Sequence, residues 1–311
     1  MARIASTVLV VALLAATAAA FVLTQGLKSQ PSPIRGTQVD DIFSPVCACE
    51  TETVAITFRL REDDRIDAAI VDERGDVVRV LERGARYEAG RVELRWDGRG
   101  DTGHVLPEGS YRPRIHLREE RQTIVLPNPI ELDVTPPAVV SARASPHVLS
   151  PDGDRRRDSL VVRYELDEAA KALLFVDGIK RVETRFPRTE DAFRWYGRID
   201  GRPAERGVYS LTLSAKDPAG NVGEAVRFPP LVVRYVALGR DRIVVSAGAR
   251  FAVRVSSDAR TVRWRLGRRS GVAAPGTLTL RAPLQKGRFT LTVTANGHSD
   301  RAAVLVREPA R

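Results

Sequence analysis

The sequence is poor in the residues that build the commonest reactive sites. Of 311 residues only two are Cys and four are His. Two Cys cannot hold together a disulfide-rich mini-domain, and four scattered His exclude the usual metal-hydrolase motifs, which group His and carboxylate ligands. The sequence also lacks a Gly-x-Ser-x-Gly elbow, a phosphate-binding Gly loop and a His-Glu-x-x-His motif. We therefore predict that the protein is not an enzyme and has no small-molecule substrate.

Long helical patterns are absent after residue 30 as well. Apolar residues instead alternate with polar ones, as at Val54, Ile56, Phe58 and Leu60, and turns rich in Gly, Asp and Pro separate such stretches. Many short alternating stretches between turns are typical of β-sandwiches. Residues 167–171 have a weak helical character, and we expect them to be a loop between two strands. The predicted fold is all-β, preceded by one transmembrane helix.

One long apolar run lies between Arg3 and Lys28, where no charged residue occurs. It exceeds the roughly 20 apolar residues that a membrane-spanning helix needs. We predict residues 1–28 to be a signal anchor, which makes a single-pass protein of the cell membrane with its domains on the extracytoplasmic side. A cleaved signal peptide is the alternative, and the protein is then secreted. Residues 29–40 follow as a predicted linker.

The chain then repeats itself. Phe43-Ser44-Pro45 aligns with Leu149-Ser150-Pro151 at an offset of 106 residues, and the alternating stretches that follow align without a gap. A second set of matches contains a Trp-x-Gly pair followed by a Gly-x-Tyr pair. We predict two copies of one sandwich, residues 41–135 and 136–236. Their shared residues serve packing and turns, because Trp fills a core and Gly permits a positive φ: Trp96, Gly98, Pro107, Gly109 and Tyr111 in the first copy, Trp195, Gly197, Gly207 and Tyr209 in the second.

Trp96-Asp97-Gly98-Arg99, followed by Pro107, Gly109 and Tyr111, resembles the FlgD-type Ig-like domain of flagellar hook-capping proteins. The same module occurs in many secreted and surface proteins of bacteria. The second copy is similar but degenerate, with Tyr196 in place of Asp and Arg206 in place of Pro. The resemblance implies tandem Ig-like sandwiches that are membrane-anchored or secreted. It implies little about function, because such domains host many roles.

Residues 237–311 lack the Trp-x-Gly motif, and we predict a third, different Ig-like sandwich there. From Leu238 to Arg311 the chain has 15 basic and 4 acidic residues, a net charge of +11, whereas the whole chain carries +10. Ordinary surfaces mix both signs, so this excess predicts attraction to a polyanion. The alternative is Arg used only as a solubilising residue. The candidate residues for polyanion binding are Arg254, Arg263, Arg265, Arg268 and Arg269.

The pair Cys47-Ala48-Cys49 leaves three interpretations open. A local disulfide would fix the loop before the first long strand, and an intermolecular disulfide would join two chains. Thiol exchange or metal capture is the third interpretation, although no His or third Cys lies nearby in sequence. The third interpretation makes the protein an exported redox or metal-handling accessory protein.

Asp152, Asp154 and Asp158 lie together in the loop that opens the second copy. Carboxylates at this spacing can bind Ca²⁺, the one cofactor that the sequence suggests. Arg155 to Arg157 lie between them and oppose a cation, so a solvated turn with local ion pairs is the alternative.

Taken together, the sequence predicts a non-catalytic cell-envelope protein. Two Ig-like domains form a stalk, and a basic third domain binds an anionic cell-wall polymer or an envelope protein. The N-terminal helix contacts the membrane, and no nucleic acid is expected as a partner, because no recognition motif occurs.

Overall fold

The computed structural model describes residues 12–21 and 32–308. Residues 12–21 form a short, exposed helix, α1. Within the described residues, no helix is both long enough and apolar enough to cross a membrane. The rest of the predicted membrane element, residues 1–11 and 22–28, lies outside the described residues, as do residues 29–31 of the predicted linker.

The first compact unit ends at Val134. Nine strands build it as a sandwich of a three-stranded and a six-stranded sheet. Alternating apolar residues point between the sheets, so that Ile56, Phe58, Ile66 and Ile115 are fully buried. The strands are β1 (Ile34–Val39), β2 (Ile42–Phe43), β3 (Val54–Leu60), β4 (Asp64–Val71), β5 (Val77–Tyr87), β6 (Gly90–Trp96), β7 (Gly109–Leu117), β8 (Gln122–Val125) and β9 (Ile130–Leu132).

The strand β1 corrects the prediction that residues 29–40 are a linker. Its residues pair antiparallel with β3, and Ile34 is buried in the first core. The stretch between Ile34 and Val39 is polar, so no apolar alternation marks it as a strand. Residues 34–39 form a strand because they pair with the edge of β3, which would otherwise lack a hydrogen-bonded partner.

The second sandwich opens the other compact unit, which runs from Thr135 to Arg311. Its eleven strands are β10 (Val139–Ser145), β11 (Val148–Leu149), β12 (Leu160–Val176), β13 (Ile179–Glu183), β14 (Arg188–Trp195), β15 (Arg198–Ile199), β16 (Arg202–Pro203), β17 (Gly207–Tyr209), β18 (Leu211–Lys216), β19 (Val226–Arg227) and β20 (Leu231–Val233). The order of pairing follows the first sandwich: β10 pairs β12 as β1 pairs β3, and β11 pairs β20 in parallel as β2 pairs β9. The repeat is therefore a repeat of topology.

The long strand β12 corrects the prediction of a loop at residues 167–171. It pairs with β10 and β14 through its first half and with β18 through its second half. Ala170 and Ala172 are fully buried, so the inward alternation continues through small side chains. Ala is a good helix former, and its local preference is overridden here by packing.

The third sandwich follows without a linker, because Tyr235 packs in the second core and Val236 in the third. A three-stranded sheet, β21-β23-β26, covers a five-stranded sheet, β22-β28-β27-β24-β25. The strands are β21 (Val236–Leu238), β22 (Arg242–Ser246), β23 (Arg250–Ser257), β24 (Val262–Leu266), β25 (Arg269–Ala273), β26 (Gly276–Arg281), β27 (Gly287–Ala295) and β28 (His298–Arg307).

Candidate functional site

The residues shared by the two repeats build a corner in each sandwich, which we call the motif corner. In the first sandwich the Trp96 indole is buried, and its Nε1 donates to the Arg99 carbonyl at 3.0 Å. Tyr111 lies edge-on to Trp96, and its hydroxyl donates to the Pro107 carbonyl at 2.8 Å. Gly98 has a φ of +69°, and a Cβ there would lie 2.8 Å from Pro45.

The second sandwich repeats these contacts with different residues. Gly197 has a φ of +59°, and a Cβ there would lie 2.9 Å from Pro151. The Tyr209 hydroxyl donates to the Glu205 carbonyl at 2.9 Å, as Tyr111 does four residues back in its own copy. Trp195 is buried in the second core. The side chains of both motif corners therefore serve packing and turn geometry.

A second feature, the basic face, lies on the outside of the five-stranded sheet in the third sandwich. Inward positions such as Leu266, Leu291 and Val304 fill the core, so the intervening residues point outward. Six of these outward residues are exposed arginines: Arg242, Arg263, Arg265, Arg288, Arg301 and Arg307.

Strand register brings the arginines of this face into rows. Arg265 lies opposite Thr292, which in turn lies opposite Arg301. In the next row Arg263 lies opposite Thr294. Neighbouring strands are about 4.8 Å apart, so the backbones of Arg265 and Arg301 are about 10 Å apart, with Thr292 between them. Guanidinium groups and threonine hydroxyls both donate hydrogen bonds to oxyanions.

The charge on the basic face is not neutralised by the protein. Asp300 is the one acidic residue in the strands of this sheet, and it points inward, accepting from the Leu238 amide at 2.8 Å. Among the described residues, none of the six arginines has a carboxylate within 4.0 Å; the ion pairs of this sandwich involve Arg206 with Asp300 and Lys286 with Glu308. Guanidinium groups keep their charge at any ordinary pH, so the face stays cationic.

The five arginines predicted from the sequence do not share one face. Arg263 and Arg265 belong to the basic face. Arg254 lies on β23, in the opposite sheet, and it points outward from that sheet because Val253 and Val255 point into the core. Arg268 lies in the turn between β24 and β25. Arg269 donates to the Arg281 carbonyl at 3.1 Å.

Sequence reasoning missed the other four arginines of the basic face. Arg301 and Arg307 flank the inward run Ala302, Val304 and Val306, and Arg288 precedes the inward β27 residues. The period-two alternation of β27 and β28 was the signal that could have identified them.

Cys47 and Cys49 form a disulfide with each other in the loop before β3. Ala48 between them has a φ of +50°, and the Thr51 hydroxyl lies 3.0 Å from the Cys49 sulfur. Neither Cys belongs to a metal-ligand cluster among the described residues.

The predicted acidic site is rearranged. Asp158 does not join Asp152 and Asp154; its carboxylate accepts the backbone amides of Gly153 at 2.9 Å and Arg155 at 2.6 Å, and so shapes the loop. In its place Asp258, from the loop after β23, comes to within 4.8 Å of both remaining carboxylates. No sequence signal joins residues about 100 positions apart in this way.

The FlgD Ig-like domain family matches residues 47–118. No curated protein sequence matches the chain. Similar solved structures include fibronectin(III)-like modules of Clostridium thermocellum CbhA, with 13% identity over 64% of this chain and 94% of that chain and a TM-score of 0.35. A titin I-band fragment has 10% identity over 90% of this chain and 100% of that chain, TM-score 0.30. A 1.5-MDa bacterial ice-binding adhesin has 10% identity over 90% and 99%, TM-score 0.26.

Proposed function

We propose that this protein, whose residues 47–118 match the FlgD Ig-like domain family, is a non-catalytic binding protein of the cell envelope. The third sandwich binds an anionic polymer through its basic face, and the first two sandwiches serve as spacing modules. The polymer is one that carries phosphate groups, the oxyanion that arginine and hydroxyl donors suit best.

The observation that carries the proposal is the basic face itself: six exposed arginines on one sheet surface, without an ion pair among the described residues. Such a concentration of like charge does not stabilise the folded domain, because mutual repulsion opposes the compact state. A polyanion relieves that repulsion and releases its own condensed counterions when it binds. Binding therefore explains an arrangement that folding does not require.

Two features support an extracytoplasmic location. The uncharged run between Arg3 and Lys28 has the length of a signal anchor. The disulfide between Cys47 and Cys49 belongs to an oxidising compartment, because cytosolic thiols are kept reduced. We therefore propose that the sandwiches lie outside the membrane, where wall and envelope polymers are the abundant polyanions.

The test compares two variants of the full chain that lose the same charge. One replaces Arg263, Arg265 and Arg301 of the basic face with Gln. The matched control replaces Arg163, Arg194 and Arg227, exposed arginines of the second sandwich that have no ion pair among the described residues. Retention on phosphocellulose in a salt gradient is the measurement. Circular dichroism establishes that both variants are folded.

We expect the basic-face variant to elute at a clearly lower salt concentration than the unmodified chain, and the control variant to elute close to it. If both variants shift by the same amount, net charge alone governs retention and the basic face is not a binding site. A shift of the control variant alone would also contradict the proposal.

A further inference from the structure

Three carboxylates meet at the joint between the second and third sandwiches. Asp152 and Asp154 come from the loop between β11 and β12, and Asp258 comes from the loop between β23 and β24. One oxygen of each lies within 4.8 Å of one oxygen of both others. The side-chain amide of Asn296, in the turn between β27 and β28, donates to Asp152 at 2.9 Å and to Asp154 at 3.3 Å.

The arginines beside this cluster do not neutralise it. The Nη1 of Arg156 donates to the backbone carbonyl of Asp258 at 3.0 Å. Arg157 lines a cavity beside Asp258 without forming an ion pair. In the described part of the chain, no basic nitrogen lies within 4.0 Å of the carboxylates of Asp152, Asp154 or Asp258. No ion pair therefore neutralises the three carboxylates, although Arg155 to Arg157 lie in the same loop.

The environment of the Asp258 side chain is stronger evidence for a bound ligand than the clustering of carboxylates. Both of its carboxylate oxygens are shielded from solvent, with less than 1 Å² exposed each, and neither has a hydrogen-bond partner. The Ser150 hydroxyl, whose proximity lowers the pKa of Asp258, donates to Asp152 at 3.4 Å. Burial above all, and then Asp152 and Asp154, raise the pKa of Asp258. A buried carboxylate without a partner is costly, and a bound cation removes that cost.

We propose that Asp152, Asp154 and Asp258 bind one Ca²⁺ ion that joins the second sandwich to the third. Ca²⁺ takes oxygen ligands at about 2.3–2.6 Å, so oxygens on opposite sides of one ion are at most about 5 Å apart. The separations in the cluster fit within that limit. The site contains carboxylate and hydroxyl oxygens and no sulfur or imidazole ligand, which is the donor set of a hard cation.

Asn296 completes the proposed site from the third sandwich. A half-turn of its amide places Oδ1 where Nδ2 now lies, and the hydrogen-bond donor becomes a metal ligand. Water fills the remaining positions, because Ca²⁺ prefers six to eight ligands. Other contacts also join the two sandwiches: the stacked rings of Tyr235 and His298, 3.5 Å apart, and the ion pair of Arg206 with Asp300.

The test is thermal unfolding of the full chain, first in EGTA and then with increasing CaCl₂, beside equilibrium dialysis with ⁴⁵Ca²⁺. Asp258→Asn removes the buried charge while keeping the shape of the side chain. Asp154→Asn is a second variant in case the first does not fold. Asp241→Asn, an exposed carboxylate of the third sandwich outside the cluster, is the matched control. MgCl₂ at the same concentrations measures selectivity.

We expect one Ca²⁺ per chain with a Kd of about 0.1–1 mM, the range of extracellular modules, and a Tm increase of about 3 °C or more at 5 mM Ca²⁺. Binding weakens at least about tenfold in Asp258→Asn or Asp154→Asn and is unchanged in Asp241→Asn. Mg²⁺ gives a smaller increase. The proposal is overturned if Ca²⁺ leaves the Tm unchanged, if the cluster variants bind as the unmodified chain does, or if Mg²⁺ binds as tightly.

Discussion

The motif corners and the basic face use their side chains in opposite ways. In the motif corner of the first sandwich, Trp96 and Tyr111 are buried, and each satisfies its polar group with a backbone carbonyl a few residues away. On the basic face, Arg263, Arg265 and Arg301 are exposed and have no ion pair among the described residues. The corner residues stabilise their own fold, whereas the face residues leave their charge available.

Different residues of the chain therefore serve stability and binding. The corner is duplicated in two sandwiches because each copy must close the same turn, and duplication of a turn carries no information about a ligand. The face occurs in the third sandwich, which lacks the Trp-x-Gly motif. A change in a motif corner should therefore alter unfolding without altering retention on a polyanion, and a change on the basic face should do the reverse.

The largest expected effect is that of Trp96→Ala. The substitution removes a fully buried indole that contacts Phe43 and Tyr111, and we expect it to lower the free energy of unfolding of the first sandwich by about 3–5 kcal/mol. Urea unfolding followed by tryptophan-independent circular dichroism measures it. The folded fraction should elute from phosphocellulose at the salt concentration of the unmodified chain. A loss below about 1 kcal/mol would show that the corner is not a packing element.

The next effect tests whether the two corners are equivalent. Gly98→Ala and Gly197→Ala each place a Cβ within 3 Å of a proline ring, at a positive φ that side chains rarely adopt. We expect each substitution to cost about 1–3 kcal/mol of unfolding free energy, the first in the first sandwich and the second in the second. Urea unfolding again provides the values. A neutral effect at Gly197 alone would mean that the degenerate copy has lost the role of the corner.

A smaller effect concerns the pH dependence at the acidic cluster. Burial raises the folded-state pKa of Asp258, so the folded chain favours the protonated carboxyl group. The stabilising contribution of this group is complete below the ordinary pKa of an Asp and is lost as the pH rises through the raised pKa. In EGTA, the unmodified chain should therefore lose stability relative to Asp258→Asn as the pH rises above the ordinary pKa of Asp, about 4. Thermal unfolding at several pH values measures the difference. A difference that grows in favour of the unmodified chain as pH rises would contradict the assignment.

The smallest effect on stability is expected for the basic face. The Gln variant of Arg263, Arg265 and Arg301 should change the free energy of unfolding by no more than about 0.5 kcal/mol, since exposed side chains without partners contribute little. The same urea experiment applies. A loss above about 1 kcal/mol would show that the arginines support the sheet, and the contrast with the motif corners would disappear.

Local patterns predicted the parts of the fold that depend on local chemistry. The alternation at Val54 to Leu60 and the Trp-x-Gly turns were sufficient to predict the sandwiches and their repetition. The strand β1 was not predicted, because only its first and last residues are apolar. The loop predicted at residues 167–171 was wrong because the inward positions of β12 there are Ala, a residue that gives alternation little contrast.

The sites depend on pairing between distant strands, and this limits what the sequence alone can predict. Arg254 and Arg263 both alternate with apolar residues, yet β23 pairs with β26 and β24 with β27, which places the two arginines on different sheets. Asp258 reaches Asp152 only because the second and third sandwiches meet at their loops. Neither the choice of sheet nor a contact across about 100 residues leaves a periodic signal in the chain.

The central claim is that the basic face, and not the net charge, binds polyanions. Its most direct test is the salt dependence of binding to a linear poly(glycerol phosphate), measured by equilibrium dialysis at several KCl concentrations. Each neutralised phosphate contributes about −0.7 to the slope of log K against log salt, by analogy with single-stranded nucleic acid. We predict a slope of about −4 for six contacts, falling to less than half of that value when all six arginines of the basic face become Gln. An unchanged slope in that variant would contradict the account.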